Sequence, residues 1–258
     1  LMGCSSEQSV ESVAVVSVDI QTLSNLSGVT VDTVSQQRFV LDGQNGIFEL
    51  LPDGSTNQLW SRPESLPQLT DICVIGGGRF IVAADGDGYI VDLATGSANQ
   101  HFCLEPGWDP SFDTELRHEN RAVACDLQNR IIYGQPRTID LTNDHDSLRS
   151  EIAAYSLVSG DDIEWRPLPD AMFQAGGMVL LPNGNLLMGS EDQLSVFNMN
   201  ENRQTTLNSL TSFGVEKIDG LSYDDVNHVL LVLDDKQQAL LQIDVDQLPL
   251  LTRHHFKQ

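Results

Sequence analysis

Five stretches of this chain share one pattern of apolar and polar positions. "RFVLDG", "RFIVAAD", "RIIYGQ", "NLLMGS" and "HVLLVLDD" begin at Arg38, Arg79, Arg130, Asn185 and His228, so 41, 51, 55 and 43 residues separate them. A short apolar run precedes each: "GVTVDTV", "TDICVI", "RAVACDL", "GGMVLL" and "DGLSYD". A third strand ending in a turn follows each, and then a more polar fourth: "TNQLW", "NQHFCL", "DIEWRPL", "RQTTLN" and "PLLTRHHF". Gly, Asp and Asn mark the turns, as antiparallel hairpins require. "GIFELLPDGSTNQLW" from Gly46 is echoed 42 residues on by "GYIVDLATGSANQHF" from Gly88. No stretch carries helical periodicity with caps.

Repeats of this period, each four antiparallel strands, predict an all-β propeller of five four-stranded blades. One such blade cannot bury both its faces, so the blades stack around an axis. A β-sandwich is the alternative, but it does not predict five echoes. "SVAVVSVDI", Ser12–Ile20, is left over; it closes the ring against the last blade or belongs to a degenerate sixth.

With 40% hydrophobic residues in 258 the chain can fill a core. Its 14 Lys and Arg stand against 37 Asp and Glu, a net charge of -23. That balance opposes a phosphate backbone, so nucleic acid is not an expected partner. "LMGCSSEQS" resembles the end of a bacterial lipoprotein signal, with Leu1 and Gly3 before a lipidated Cys4. The resemblance implies an envelope address, with Ser5 favouring the outer membrane. On this reading residues 1–11 are signal remnant and tether, and 12–258 are the propeller. No run is long and apolar enough for a membrane helix, so the lipid is the expected anchor. Cys73, Cys103 and Cys125 sit in apolar runs and are expected as buried free thiols.

Propeller topology puts the turns between second and third strands, and the links between blades, on one face. The two longest insertions, Glu105–Asn120 and Pro136–Ser150, both fall there, where binding residues usually gather. This face is acidic, and Asp144 and Asp146 in "NDHD" join the candidate ligands for a calcium-like ion. Asp also serves tight turns, the simpler use of the short-turn carboxylates. Nearest the axis, where the innermost strands open, lie Asp71, Asn120, Arg121, Gly176 and Asp219. Asp71 and Asp219 are metal candidates; with Asn120 and Arg121 they are also candidates for a small polar ligand. Trp108, in a Gly/Pro/Asp loop, is a candidate contact residue. No nucleophile motif is present, and none of the six His has a Ser or Cys partner at motif spacing.

"DGLSYDDVNHVLLVLDDKQQALLQIDVD", Asp219–Asp246, resembles a blade of the SdiA-regulated, NHL-like and gluconolactonase-like propellers, and Thr70–Leu93 follows the same mould. The gluconolactonase-like resemblance implies a divalent metal held at the channel mouth by Glu, Asn and Asp, and hydrolysis of lactones. Asp219 alone falls at a matching position; "AGGMV" offers Gly where that set has a polar ligand. The reading that follows is a monomeric, non-catalytic binding module for an envelope protein or peptide. Its alternatives are a calcium-dependent hydrolase of small lactones or esters, and a small-molecule sensor.

Overall fold

The computed structural model describes residues 23–84, 86–103, 116–140, 147–169 and 173–255. Blade 1 is β1 (Leu26–Val31), β2 (Arg38–Asp42), β3 (Gly46–Leu50) and β4 (Thr56–Ser61). Blade 2 is β5 (Leu69–Gly76), β6 (Arg79–Ala84), β7 (Asp87–Asp92) and β8 (Ser97–Cys103). Blade 3 is β9 (Leu116–Asp126), β10 (Ile131–Asp140), β11 (Ser147–Ser156) and β12 (Asp162–Pro167). Blade 4 is β13 (Gly177–Leu180), β14 (Leu186–Ser190), β15 (Gln193–Asn198) and β16 (Arg203–Ser209). Blade 5 contains β17 (Gly220–Asp224), β18 (Val229–Asp234) and β19 (Ala239–Asp244). Within each blade the strands pair antiparallel in chain order. The expected all-β propeller is therefore present, and it closes with five blades, β17 packing on β1.

The core is divided among the five interfaces between blades. Phe39, Leu41 and Trp60 meet Phe80 and Val82 between blades 1 and 2. At the closing interface Leu231, Leu233 and Leu240 of blade 5 meet Leu26 and Val29 of blade 1. Because each sheet is covered on both sides, its second strand is an unbroken apolar run; Leu230, Leu231, Val232 and Leu233 are all buried. Outer strands such as β4 and β12 have mostly exposed or half-exposed residues, which accounts for their polar sequences.

Three expectations change. "PLLTRHHF" does not form a fourth strand: Pro249–His255 is a helix, α1. Pro249 has no N–H for a ladder and suits a first helical turn, while Leu248 and Leu251 bury themselves in the core between blades 4 and 5. His254 and His255 therefore lie on that helix. The insertions at blade 3 are partly ladder, since β9 and β10 stay paired out to Leu116 and Asp140. Residues 104–115 and 141–146 lie outside the described residues, as do Ser12–Ile20 and Cys4. Finally, Cys73 and Cys125 form a disulfide between β5 and β9, with Cα atoms 6.0 Å apart. Cys103 is outside it and exposed.

At the waist of the axis the inner strands are in backbone contact. A Cβ on Gly177 would lie 2.4 Å from Leu221 N, and one on Gly220 3.0 Å from the Cα of Gly28. Into this space projects the carboxylate of Asp71, which is wholly buried. It accepts the N–H of Ile72 at 2.8 Å and that of Val123, on β9, at 2.9 Å. The N–H of Met178, on β13, donates to it as well. One side chain thus ties the inner strands of three blades.

Asp71→Asn keeps the shape but replaces an acceptor by a donor facing backbone N–H groups. We expect a loss of about 1–3 kcal/mol in urea unfolding; a variant as stable as the parent would refute the tie. Closing a loop of 52 residues, the disulfide should contribute about 4 kcal/mol. Cys73→Ser should lower stability by that order, and reductant should bring the parent to the same midpoint.

Candidate functional site

Asp71 divides the axis into two mouths. The upper mouth, on the face of the β2–β3 type of turn, is a cavity of about 190 Å³ lined by Asn25, Ser27, Thr70, Arg121, Lys217 and Asp219, among others. The inner strands deliver these groups near their upper ends: Asn25, Lys217 and Asp219 just before β1 and β17, Ser27 and Thr70 at the second residues of β1 and β5, and Arg121 at the sixth residue of β9. Arg121 lies at a bulge where Arg121 and Ala122 face the single residue Gln135 of β10, because the register shifts between Gly134 and Pro136. Gln135 is buried, donates to Phe173 O at 3.1 Å and accepts from Ala175 N at 3.2 Å. It thereby fixes the segment that leads into Gly176. A Cβ on Gly176 would fall 1.8 Å from the carbonyl oxygen of Ile218, so only glycine fits there.

Lys217 and Asp219 form an ion pair across this mouth. Asp219 also accepts the N–H of Asp235 at 3.3 Å. Burial pushes its carboxyl above the ordinary carboxylate range, and Lys217 pulls the other way. Beneath, Asp234 accepts the backbone N–H groups of Glu216 at 2.6 Å and Lys217 at 3.3 Å, which positions the lysine. Asp42 holds the matching corner of blade 1 through Ser24 N at 3.0 Å and Asn45 N at 2.9 Å. These two carboxylates therefore serve turns. By contrast, Asn25 Nδ2 and Ser27 Oγ are buried beside Gly43 with no hydrogen-bond partner among the described residues.

Of the residues singled out in the sequence, Arg121 and Asp219 come together at this mouth, and Asp71 lies below it. The backbone of Asn120 pairs with Pro136 just above. Trp108, Asp144 and Asp146 lie outside the described residues. Among the described residues no group of three or more His, Cys, Asp or Glu could hold a metal ion. Sequence reasoning missed Asn25, Ser27 and Lys217. Their only signal was a place at or within a few residues of the start of the inner strands of blades 1 and 5.

Asp219 keeps its proton to higher pH in the folded chain than in the unfolded one. Its contribution is complete below the ordinary carboxylate pKa and is lost as pH rises through the raised folded value. Asp219→Asn, which does not titrate, should therefore lose less thermal stability than the parent as pH rises from about 4, the ordinary carboxylate value. Equal losses would show that the Lys217 pair outweighs burial.

No protein-family model and no curated protein matches the chain. Solved structures do. A gluconolactonase from Xanthomonas campestris matches with TM-score 0.50 and 12% identity, over 85% of this chain and 86% of that one. A luciferin-regenerating enzyme matches with TM-score 0.52 and 12% identity, over 86% of this chain and 76% of that one. Regucalcin, a calcium-binding protein from Agrobacterium tumefaciens, gives 0.49 and 12%, over 86% and 90%. At such identities the likeness is one of fold: the chain is built like the gluconolactonase-like propellers.

Proposed function

We propose that the upper mouth binds a small, oxygen-rich, anionic ligand. The observation that carries this reading is the polar lining of the cavity, where Asn25, Ser27 and Thr70 stand with Arg121 and Lys217. A few converging polar and cationic groups in a concave site suit the carboxylate and hydroxyls of a small ligand. This makes the protein a binding module or sensor for a small molecule.

A second reading is hydrolysis of a small lactone or ester at the same mouth. Two fold neighbours carry enzyme names, a gluconolactonase and a luciferin-regenerating enzyme. Asp219 supports it, since a carboxyl raised by burial at a cavity mouth has the character of a general base. The described residues do not fit the divalent ion of the gluconolactonase-like family. Asp71 is taken up by backbone N–H groups and Asp219 by Lys217, whereas a hard cation needs several open oxygens.

The envelope address belongs to the same proposal. The Cys73–Cys125 disulfide supports an oxidising compartment.

The test is a thermal melt against a panel of small hydroxy acids and their lactones, each with calcium and with EDTA. A ligand at about 100 times its dissociation constant adds about 2.7 kcal/mol, a shift of a few degrees. The binding reading expects a shift that is unaffected by EDTA and lost in Lys217→Ala and Asn25→Ala. Lactone turnover abolished by Asp219→Asn would favour the hydrolase. A shift that depends on calcium would contradict the assignment of the mouth to an anion.

A further inference from the structure

The opposite end of the axis is larger and differs in chemistry. Below Asp71 the inner strands flare into a cavity of about 720 Å³, a volume within the range of specific binding sites. All five strands wall it, with Ile72, Val74, Met178, Leu180 and Leu221 among the apolar contributors. Its lip is formed by the turns between first and second strands. Val34 there is 93% exposed and Leu127 48%, and Val226, on the corresponding turn of blade 5, is 64% exposed. Apolar residues at turn tips around one opening form a patch that a monomer gains nothing by exposing.

Charge sets the occupant. Asp32 and Asp225 stand on this lip, and no Lys, Arg or His is among the lining residues. Asp32 Oδ1 caps its own turn through Val34 N at 2.9 Å and Ser35 N at 3.4 Å. Its Oδ2 takes no hydrogen bond among the described residues, and Asp225 makes no ion pair among them. The acidic segment Ser5–Ile20, which has Glu7, Glu11 and Asp19 and no Lys or Arg, is a poor electrostatic match for such a lip. Apolar side chains make up part of the wall, and the lip carries two carboxylates and exposed aliphatic side chains on three of its turns, so the complement is a peptide segment that alternates apolar and basic residues.

We propose that this lower mouth is a docking site for a basic, apolar segment of a partner protein. The site is independent of the upper mouth. It also moves the expected protein interface from the face that carries the long insertions to the opposite one.

The test uses the 258-residue chain with a fluorescent, end-blocked Lys-Leu-Lys-Leu-Lys peptide and its Glu-Leu-Glu-Leu-Glu counterpart as probes. The basic peptide should bind saturably and the acidic one should not. Asp32→Asn with Asp225→Asn should weaken binding roughly three- to tenfold at low salt, as two partly exposed ion pairs would. Val34→Ser with Leu127→Ser should weaken it as well, and Lys217→Ala should leave it unchanged. The proposal is overturned if the two peptides bind alike or neither saturates. It is equally overturned if basic-peptide binding survives both double variants, which would assign it to the general acidic surface. Displacement of the peptide by spermidine at equal concentration would give the mouth to a small amine and overturn it too.

Discussion

The Asp71 carboxylate at the waist is the constraint around which this propeller is arranged. Five inner strands converge on an axis so narrow that Gly28, Gly177 and Gly220 approach one another backbone to backbone. Edge N–H groups there have no sheet partner, and leaving one unmet costs on the order of 1–3 kcal/mol. A single buried acceptor meets three of them, on β5, β9 and β13. Burial raises its pKa well above the ordinary carboxylate value, and the three N–H groups oppose that rise. A side chain with the composition of a metal ligand is thus committed to structure. The disulfide links two of the same three strands a short way below, so blades 2 and 3 are fastened covalently as well as through their shared core.

Plugging the waist has a functional consequence, because it separates two mouths of unlike chemistry. The upper one is small and polar and contains the Lys217–Asp219 pair. The lower one is roomy, mixed apolar and polar within and acidic at its lip. An anion suits the first and a cation the second. The net charge of -23 explains neither by itself; the placement of the few cations does, since Arg121 and Lys217 both lie at the upper opening.

Blade order was legible in the sequence because each second strand is buried on both faces and reads as an unbroken apolar run. β18 and β6 are the clearest cases. The last fourth strand was misread because Leu248, Leu250 and Leu251 mimic such a run, although Pro249 marked a helix start. The disulfide was not legible: residues 52 apart meet only because β5 and β9 are neighbours around the ring. Asp71, Arg121 and Asp219 were picked out as inner-strand openings, but β9 begins at Leu116, so Asn120 and Arg121 stand inside the strand, Arg121 at its bulge. What the sequence does not carry is which carboxylate faces backbone N–H groups and which faces a cavity, since that depends on the height of each residue along the axis. Lys217 escaped notice for the same reason, being set by the Asp234 bonds to its backbone.

The central functional claim is that the upper mouth holds a small anionic ligand. Its most direct measurement is a crystal structure grown with the hydroxy acid that stabilises the domain most. The account predicts ligand density at the mouth, with a ligand oxygen beside the Lys217 ammonium. Density confined to the lower mouth, or an upper mouth filled by a protein side chain with Asn25 and Ser27 satisfied by it, would contradict the claim.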